Sequence, residues 1–507
     1  MPARERHAGY LFGASIRKVE AQLIDQTAAG EPMRRAAQVV ARRADALLRS
    51  IPGPCVVTGL IGPGNNGGDA LLALNQLDER GYRTRALFVG QRPSINNAVI
   101  SFARQECPLS ELTASNGQDI ARQVVIDGMF GVGLNRPLGG VAAQAAQWTT
   151  RVNCPVLAVD VPSGLNPDSG ALIGGPRAAA VRASHTVTFL ADKPGLHTGI
   201  GPDHCGSVSV HGLGCRPFAG DGIRIDKQWV SSRLRPRERS DHKGSFGMVA
   251  AIGGATGMNG AALLAAHGAR AAGAGKIATI SPDGPVFDPG HPQLMALSID
   301  RPSDFERHLA GLSSAVIGCG LGTGSRASSL LMQTLSTDLP LVIDADALNL
   351  VGCVTQASAL SELLARRSRL APTVLTPHPL EAARLLSLST AEIQSNRIHC
   401  AQALAQQTGA VVLLKGAGTV LAAPDGRWGL IGSGGPALAT GGTGDILAGL
   451  IAGLLAQQPS GWEAAAVAAW AHGDAGDHWL LANPLGRGLH SSELVQRIVH
   501  SLNGRPD

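Results

Sequence analysis

Short apolar runs alternate with helical stretches along almost the whole chain, and the alternation happens twice. The first series holds "CVVTGL" (55–60), "RALFVG" (85–90), "QVVIDGMFG" (123–131), "PVLAVDVPSG" (155–164) and "HTVTFL" (185–190). The second starts at "GMVAAIGG" (247–254). It continues through "KIATISP" (276–282), "SAVIGCGLGTG" (314–324), "LPLVIDADAL" (339–348), "PTVLTPHP" (372–379) and "AVVLLKGAGT" (410–419). Strands joined by helical crossovers run parallel, so each series predicts a mostly parallel α/β sheet. Ahead of the first series, "IRKVEAQLIDQ" and "MRRAAQVVARRADALL" place apolar residues at helical spacing. After "GSVSVHGLG" the pattern lapses into Gly, Pro and charge over residues 212–240. The expected organisation is a first domain over 1–220, a linker over 221–240 and a second domain over 241–507.

A chain of 507 residues exceeds one ordinary core. Its 65 glycines and 3% aromatics suit sheets edged by many glycine loops, and 44% hydrophobic residues are enough to fill cores. The net charge of +5 is scattered. Its densest cluster, "RLRPRERSDHK" (233–243), contains acidic residues and no interleaved aromatics, which fits a solvated linker better than a nucleic-acid arm. The eight cysteines (55, 107, 154, 205, 215, 319, 353, 400) form no C-x-x-C pair. They read as small hydrophobes, several of them inside strands, in a reducing compartment. "MPARERHAGY" is followed by no apolar segment of the signal-peptide kind. "ILAGLIAGLLA" is too short to span a bilayer. A cytoplasmic, soluble protein is expected, with no nucleic acid or membrane as partner.

"GPGNNGGD" (62–69) follows the first strand and contains G-x-G-x-x-G (Gly62, Gly64, Gly67). A dinucleotide fingerprint also needs an acidic residue at the tip of the next strand. There the sequence has Gln91 and Arg92. Asn65, Asn66 and Asp69 stand among the glycines instead, and their oxygens suit a hard cation or a ribose. The plainer alternative is a tight turn with Asn at positive φ.

In the second half, "TGGTGD" (440–445) opens a helix. A glycine turn at a helix N-terminus offers an anion hole, and Asp445 in the first turn can take a proton beside it. "KGAGT" (415–419) supplies Lys415 and Thr419 for phosphates. "TPHP" (376–379) fixes His378 between two prolines, and "IDADALN" (343–349) sets Asp344 and Asp346 where Mg²⁺ or its waters collect. Together these places describe a site for ATP or ADP plus a hydroxylated substrate.

The motifs "HKGSFGMVAAIGG", "GCGLG", "DADALN", "TPHP", "KGAGT" and "GGTGDILAG" resemble, in order, the ADP/ATP-dependent NAD(P)H-hydrate dehydratases of ribokinase-like fold. "GPGNNGGD", "DGMFGVGLNRP" and "DVPSGLNPDSG" resemble the NAD(P)H-hydrate epimerases, whose domain would be a Rossmann-like three-layer α/β/α unit. The resemblance covers nearly the whole chain. It implies a fused enzyme that interconverts the R and S forms of hydrated NADH or NADPH and dehydrates the S form with ADP or ATP. For the epimerase it implies substrate contacts at Asn65, Asn66, Gly67, Gly68, Asp69, Gly131, Val132, Gly133, Leu134, Asn135, Arg136, Pro137 and Asp160. Asp160 would be the acid/base, with Lys193 a second candidate, and Asn66, Asp127 and Ser163 would hold K⁺. For the dehydratase it implies Ala261, Gly322, His378 and Asp445 at the hydrate. Lys415, Gly416, Ala417, Gly418, Thr419 and Gly444 would hold the nucleotide, with Mg²⁺ alongside. A homo-oligomer acting on small molecules is the expected state. A ribokinase-like small-molecule kinase with a fused binding domain is the alternative. Ala70, Cys319 and Leu380 depart from the usual Gly, Pro and Gly, and Ala70 and Leu380 are expected to narrow the pockets.

Overall fold

The computed structural model describes residues 9–52, 55–90, 123–215, 219–352, 357–458 and 460–504. Two compact units divide the chain between Ile223 and Arg224. Gln91 and Arg92, used above against the dinucleotide fingerprint, lie outside the described residues, as do Cys107 and Cys353.

In the first unit six strands form one sheet: β1 Val56–Ile61, β2 Arg83–Phe88, β3 Gln123–Gly128, β4 Val156–Val159, β5 His185–Phe189 and β6 Ser207–His211. Their order is β2-β1-β3-β4-β5-β6, parallel throughout. Side chains alternate across β3. Val124 and Ile126 join one core, and Val125 joins the other. On one face the helices Glu31–Arg49 and Asn65–Asp78 bury Val40, Ala44, Leu74 and Leu77. On the other the helix Gly140–Thr149 buries Ala145, Ala146 and Trp148. Both faces are covered, which is why these strands read as continuous apolar runs. The chain leaves β1 for β2 on one side and reaches β3 on the other. At such a reversal the loops after the two strands part and leave a crevice at their carboxyl ends.

The second unit is built on ten strands ordered β10-β9-β8-β11-β12-β13-β14-β15-β16-β7. They are β7 Ile223–Ile225, β8 Met248–Ile252, β9 Lys276–Ile280, β10 Met295–Leu297, β11 Ser314–Ile317, β12 Leu341–Ile343, β13 Thr373–Leu375, β14 Val411–Leu414, β15 Val420–Ala422 and β16 Trp428–Ile431. From β10 to β14 the pairs are parallel, and β14-β15-β16 form an antiparallel meander. Here the reversal falls at β8, between β9 and β11.

The helix carrying "GTGD", Thr443–Leu455, lies against the helix Asn259–Ala271. Glycines set their spacing. A Cβ on Gly449 would stand 1.8 Å from the Ala265 carbonyl oxygen, and one on Gly268 would stand 2.0 Å from that of Ile446. Backbone meets backbone there, so no side chain can be accommodated without parting the helices.

The expected linker is corrected. Residues 221–240 carry β7 and the short helix Lys227–Ser231, whose N-cap Asp226 accepts the Trp229 N–H. Gly432 N–H donates to the Ile225 carbonyl, which ties β7 to the second sheet. A three-residue strand in a charged stretch leaves too short a period to read. The cysteines are also corrected, since no described cysteine lies within a strand. Cys55 and Cys154 precede β1 and β4, Cys215 and Cys319 follow β6 and β11, and Cys205 and Cys400 are in helices. No described helix is long and apolar enough to cross a membrane.

Candidate functional site

In the first unit a cavity of about 750 Å³ opens at the carboxyl ends of β1, β3 and β4. Its floor includes Asn65, Asn66, Asp69, Gly131 and Asp160, and its wall continues through Val132, Gly133, Leu134, Asn135 and Arg136. Gly67, Gly68 and Pro137 are not among the lining residues. The glycines of "GPGNNGGD" serve close packing. A Cβ on Gly62 would strike the Met129 carbonyl at 1.7 Å, and one on Gly67 would strike that of Gly62 at 2.0 Å. Neither Asn65 nor Asn66 has positive φ, so the tight-turn alternative fails. Both asparagines begin the helix Asn65–Asp78, whose N-cap Gly64 supplies no side-chain bond. Gly64, Asn65 and Asn66 line the cavity, so this helix N-terminus borders the crevice.

Asp160 follows β4 with φ 68°, a left-handed conformation that Asp tolerates better than most residues. One carboxylate oxygen meets the buried Lys193 ammonium at 2.8 Å and accepts from Thr188 Oγ1 and Phe189 N–H, both at 3.2 Å. Lys193 also donates to Thr188 Oγ1 (2.7 Å) and to the Phe189 carbonyl (3.0 Å). The other carboxylate oxygen, Oδ2, points toward Gly131, where the Asn66 amide oxygen also arrives. Burial, then the charges of Asp160 and Glu20, push the Asp69 carboxyl well above the usual range. The protonated form of Asp69, which can donate a hydrogen bond, is favoured by the same burial.

Asp127, at the end of β3, is fully buried. It accepts the Ser163 N–H (2.8 Å), the Ser163 hydroxyl (2.7 Å) and the Met129 N–H (3.2 Å). Burial raises it to about 6, against the opposing pull of the Ser163 and Met129 bonds. Ser163 Oγ also accepts the Phe130 N–H at 2.9 Å, so Asp127 and Ser163 lock the loops after β3 and β4 together. The Asn66 amide nitrogen is buried with no hydrogen-bond partner in the structure.

In the second unit Asp445 occupies the first turn of Thr443–Leu455. Burial and then the Asp344 charge raise it to about 6, while the Cys319 thiol and the Lys415 ammonium pull the other way. Lys415 Nζ donates to Asp344 Oδ1 at 2.7 Å. Burial would lower its pKa, but the Asp344 and Glu381 carboxylates outweigh that and raise it. A Cβ on Gly444 would lie 3.6 Å from the same ammonium. Asp344 caps the helix Ala345–Val351 through the Ala345 N–H (2.9 Å), and Asp346 Oδ2 accepts the Gly322 N–H (2.8 Å). Gly320 of "GCGLG" abuts Ala261, with 3.1 Å between an added Cβ and the Ala261 Cβ.

His378 is an N-cap and not a free loop residue. Its Nδ1 accepts from the Leu380 and Glu381 N–H groups (3.1 and 3.3 Å), so Nε2 carries the proton and faces Glu381 at 3.3 Å. Burial and then Lys415 lower its pKa. The neutral His472 donates to the Thr443 carbonyl at 3.0 Å and pins the turn that carries Asp445.

Two family models match. Residues 30–195 fit one described as YjeF-related protein N-terminus, and residues 249–500 fit NAD(P)H-hydrate dehydratase. A bifunctional NAD(P)H-hydrate repair enzyme Nnr of Coxiella burnetii is 37% identical over 445 residues, 85% of this chain and 87% of that one. Its counterpart from Escherichia coli is 36% identical over 453 residues, 87% and 84%. The chain belongs to the bifunctional NAD(P)H-hydrate repair enzyme family. A solved ADP/ATP-dependent NAD(P)H-hydrate dehydratase from Bacillus subtilis, co-crystallised with ATP/Mg2+, is similar to 56% of this chain and 99% of its own. Its identity is 29% and its TM-score 0.48.

Members of this family would be expected to differ around motifs, and the three departures can be placed. Ala70 is fully buried beneath Gly128, where a Cβ would come within 2.4 Å of its own. It packs helix on strand and does not narrow the cavity. Leu380 is 46% exposed, and Cys319 is buried beside Asp445. Sequence reading missed the cavity's outer wall, made by Arg17, Glu20 and Met33 of the two leading helices. Glu20 accepts from Asn65 Nδ2 at 3.3 Å. A polar stripe on an amphipathic helix was the available signal, and it does not say which polar residues face a ligand. Elsewhere His267, Asp288 and His291 bring three metal-type donors within 4.8 Å. There Asp288 Oδ2 accepts from both imidazoles (2.9 and 3.1 Å) and Oδ1 from the Gly290 N–H (2.9 Å), while His267 Nδ1 is buried with no hydrogen-bond partner.

Proposed function

We propose that the first unit epimerises NAD(P)H hydrates at the β1/β3 crevice and the second dehydrates the S form with ADP or ATP at Asp445. The observation that carries the reading is Asp445 itself. It is a carboxylate with a pKa of about 6, in the first turn of a glycine-led helix, beside the Lys415–Asp344 pair.

In the crevice, Asp160 acts as acid/base at C6 of the hydrate. Lys193 and Thr188 fix one of its oxygens, leaving Oδ2 aimed at the cavity. Asn65, Asn66 and Asp69 bind the substrate together with residues Gly131 to Arg136, while Gly67, Gly68 and Pro137 shape the loops that carry them. The donor set Asn66, Asp127 and Ser163 fits a potassium ion. All three can present oxygen, Asp127 is buried, and the unpartnered Asn66 amide can turn its oxygen inward. Such an ion would supply the charge that offsets a buried Asp127 carboxylate.

In the second unit Ala261, Gly322 and His378 contact the hydrate. Asp445 accepts the proton of the C6 hydroxyl as that oxygen attacks the terminal phosphate. The nucleotide leaves one phosphate shorter; phosphate is then a better leaving group than hydroxide, and its departure from C6 with loss of a proton from C5 restores the ring double bond. Lys415 to Thr419, with Gly444, hold the nucleotide, and the helix N-terminus meets the charge on the transferring group. Asp344 and Asp346 would hold Mg²⁺ or its waters through the carboxylate oxygen that each leaves over. Asp344 Oδ1 is held by Lys415 and Ala345, and Asp346 Oδ2 by Gly322.

The test mixes purified protein with both hydrate epimers and either nucleotide, and follows recovery of reduced-nicotinamide absorbance. Recovery from both epimers with release of phosphate supports the proposal. A stable phosphorylated product would make this a kinase instead.

A further inference from the structure

Arg397 is among the largest side chains buried in the protein, only 1% exposed, and it opens the helix Arg397–Thr408. Its guanidinium does not point at solvent. Nη2 donates to the carbonyls of Leu414 and Lys415 (both 3.2 Å) and Gly418 (3.5 Å), and Nη1 donates to Gln394 Oε1 (2.7 Å). All three carbonyls belong to the end of β14 and the loop "KGAGT". Gly416 lies between them with φ 133°, and a Cβ there would stand 2.9 Å from Nη1. The guanidinium therefore fills the space a side chain at 416 would need. Burial lowers its pKa to about 10, which leaves it cationic at neutral pH.

Peptide geometry gives these bonds a consequence. In a trans peptide the C=O and the following N–H point in opposite directions, and the described chain has no cis bonds. Turning the Leu414, Lys415 and Gly418 carbonyls toward Arg397 turns the N–H groups of Lys415, Gly416 and Thr419 away from it. The Lys415 N–H is used within the fold, donating to the Pro377 carbonyl at 2.9 Å. The Gly416 and Thr419 amides face the side opposite the guanidinium. A row of backbone amides on one side of a glycine loop is an anion-binding arrangement.

We propose that Arg397 is a positioning residue for the nucleotide: it holds the carbonyls of the 414–418 loop inward so that the Gly416 and Thr419 amides face the phosphates. The proposal rests on the reading of Lys415 to Thr419 as the nucleotide loop. Arg397 touches neither phosphate nor hydrate. Its effect falls on nucleotide affinity and leaves hydrate affinity alone.

The experiment compares Arg397→Met, Arg397→Lys and Lys415→Met with the unaltered protein. It measures ADP and ATP binding, nucleotide KM, hydrate KM and kcat, with the melting temperature of the second unit in the same samples as a folding control. Arg397→Met is expected to raise nucleotide KM by about tenfold or more, the scale of lost charge-assisted bonds. Hydrate KM stays unchanged and kcat at saturating nucleotide is largely kept. Arg397→Lys, which can reach some of the carbonyls, falls between. In Arg397→Ala, measured as a fourth variant, added guanidinium ion restores part of the lost nucleotide affinity. Unchanged nucleotide affinity in Arg397→Met, with Lys415→Met weakened, overturns the positioning role alone. Unchanged affinity in Lys415→Met overturns the loop assignment itself. Should Arg397→Met fail to fold, Arg397→Lys decides: weakened nucleotide binding supports the role, and unaltered binding refutes it.

Discussion

If Asp445 is the base of the dehydratase, its rate must follow its ionisation, and the structure says where that lies. Burial and the Asp344 carboxylate raise the group to about 6, while Cys319 and Lys415 lower it. A base must be ionised, so the rate rises with pH. The ionised share is about one tenth at pH 5, half near pH 6 and about nine tenths at pH 7. The neighbours supply the sharper check. Asp344→Asn removes a charge that raises the pKa, so its profile moves to lower pH. Lys415→Met removes one that lowers it, so its profile moves to higher pH. Asp445→Asn loses dehydration by roughly 10²- to 10⁴-fold while epimerisation continues. Stability carries the same signature with the opposite benefit. Between the ordinary carboxylate value of 3.8 and about 6 the folded protein keeps a proton that the unfolded chain has released. Stability therefore falls as pH rises through that window. Asp445→Asn removes the cost, so its second unit should melt at a higher temperature than the parent at pH 7. The assay is initial dehydration rate at saturating nucleotide from pH 5 to 8, beside a melting curve for each variant. A flat profile, or the same midpoint in Asp344→Asn and Lys415→Met, would refute the reasoning.

Asp127→Ala removes the acceptor for the Ser163 and Met129 N–H groups, each left buried at a cost of about 1–3 kcal/mol. Epimerisation and its response to potassium should both fall while dehydration of the S form persists; an unchanged potassium response would take the ion out of the site. Gly449→Val pushes a side chain into the Ala265 carbonyl and should destabilise the second unit by about 3 kcal/mol or more, read as a lower melting temperature with epimerase activity retained. Dividing the chain between Gly222 and Ile223 should yield two folded parts, since Gly222 bonds Tyr10 in the first unit and Ile225 bonds Gly432 in the second. The C-terminal part alone should then repair the S hydrate at once and the R hydrate only as it epimerises spontaneously; equal rates on both would defeat the division of labour.

What could be read ahead of the structure depended on how far each signal extends along the chain. β1, β3, β8 and β11 are buried on both faces, so they stand out as unbroken apolar runs, and parallel pairing followed from the helices between them. β7, β10 and β15 have three residues each, too few to establish an alternation, and their places were set by pairing partners distant in sequence; β12 and β13 are as short, but the motifs "IDADALN" and "TPHP" after them marked them. The same contrast runs through the sites. Asp445 was legible because its glycines precede it directly. The glycines of "GPGNNGGD" were legible as a site, but their reason was not. Gly62 is needed because Met129 passes beneath it, and Met129 lies on a loop after a different strand. Arg397 gave no signal at all. It is a lone arginine at a helix start, and its meaning lies wholly in three carbonyls some 20 residues further on. Residues that touch a ligand tend to sit in local motifs, because a loop must shape itself around the ligand. Residues that hold the loop in shape are recruited from wherever the fold passes close by. Around Asp160 and Lys415 the groups proposed to face substrate belong to the first kind, and Lys193 and Arg397 to the second.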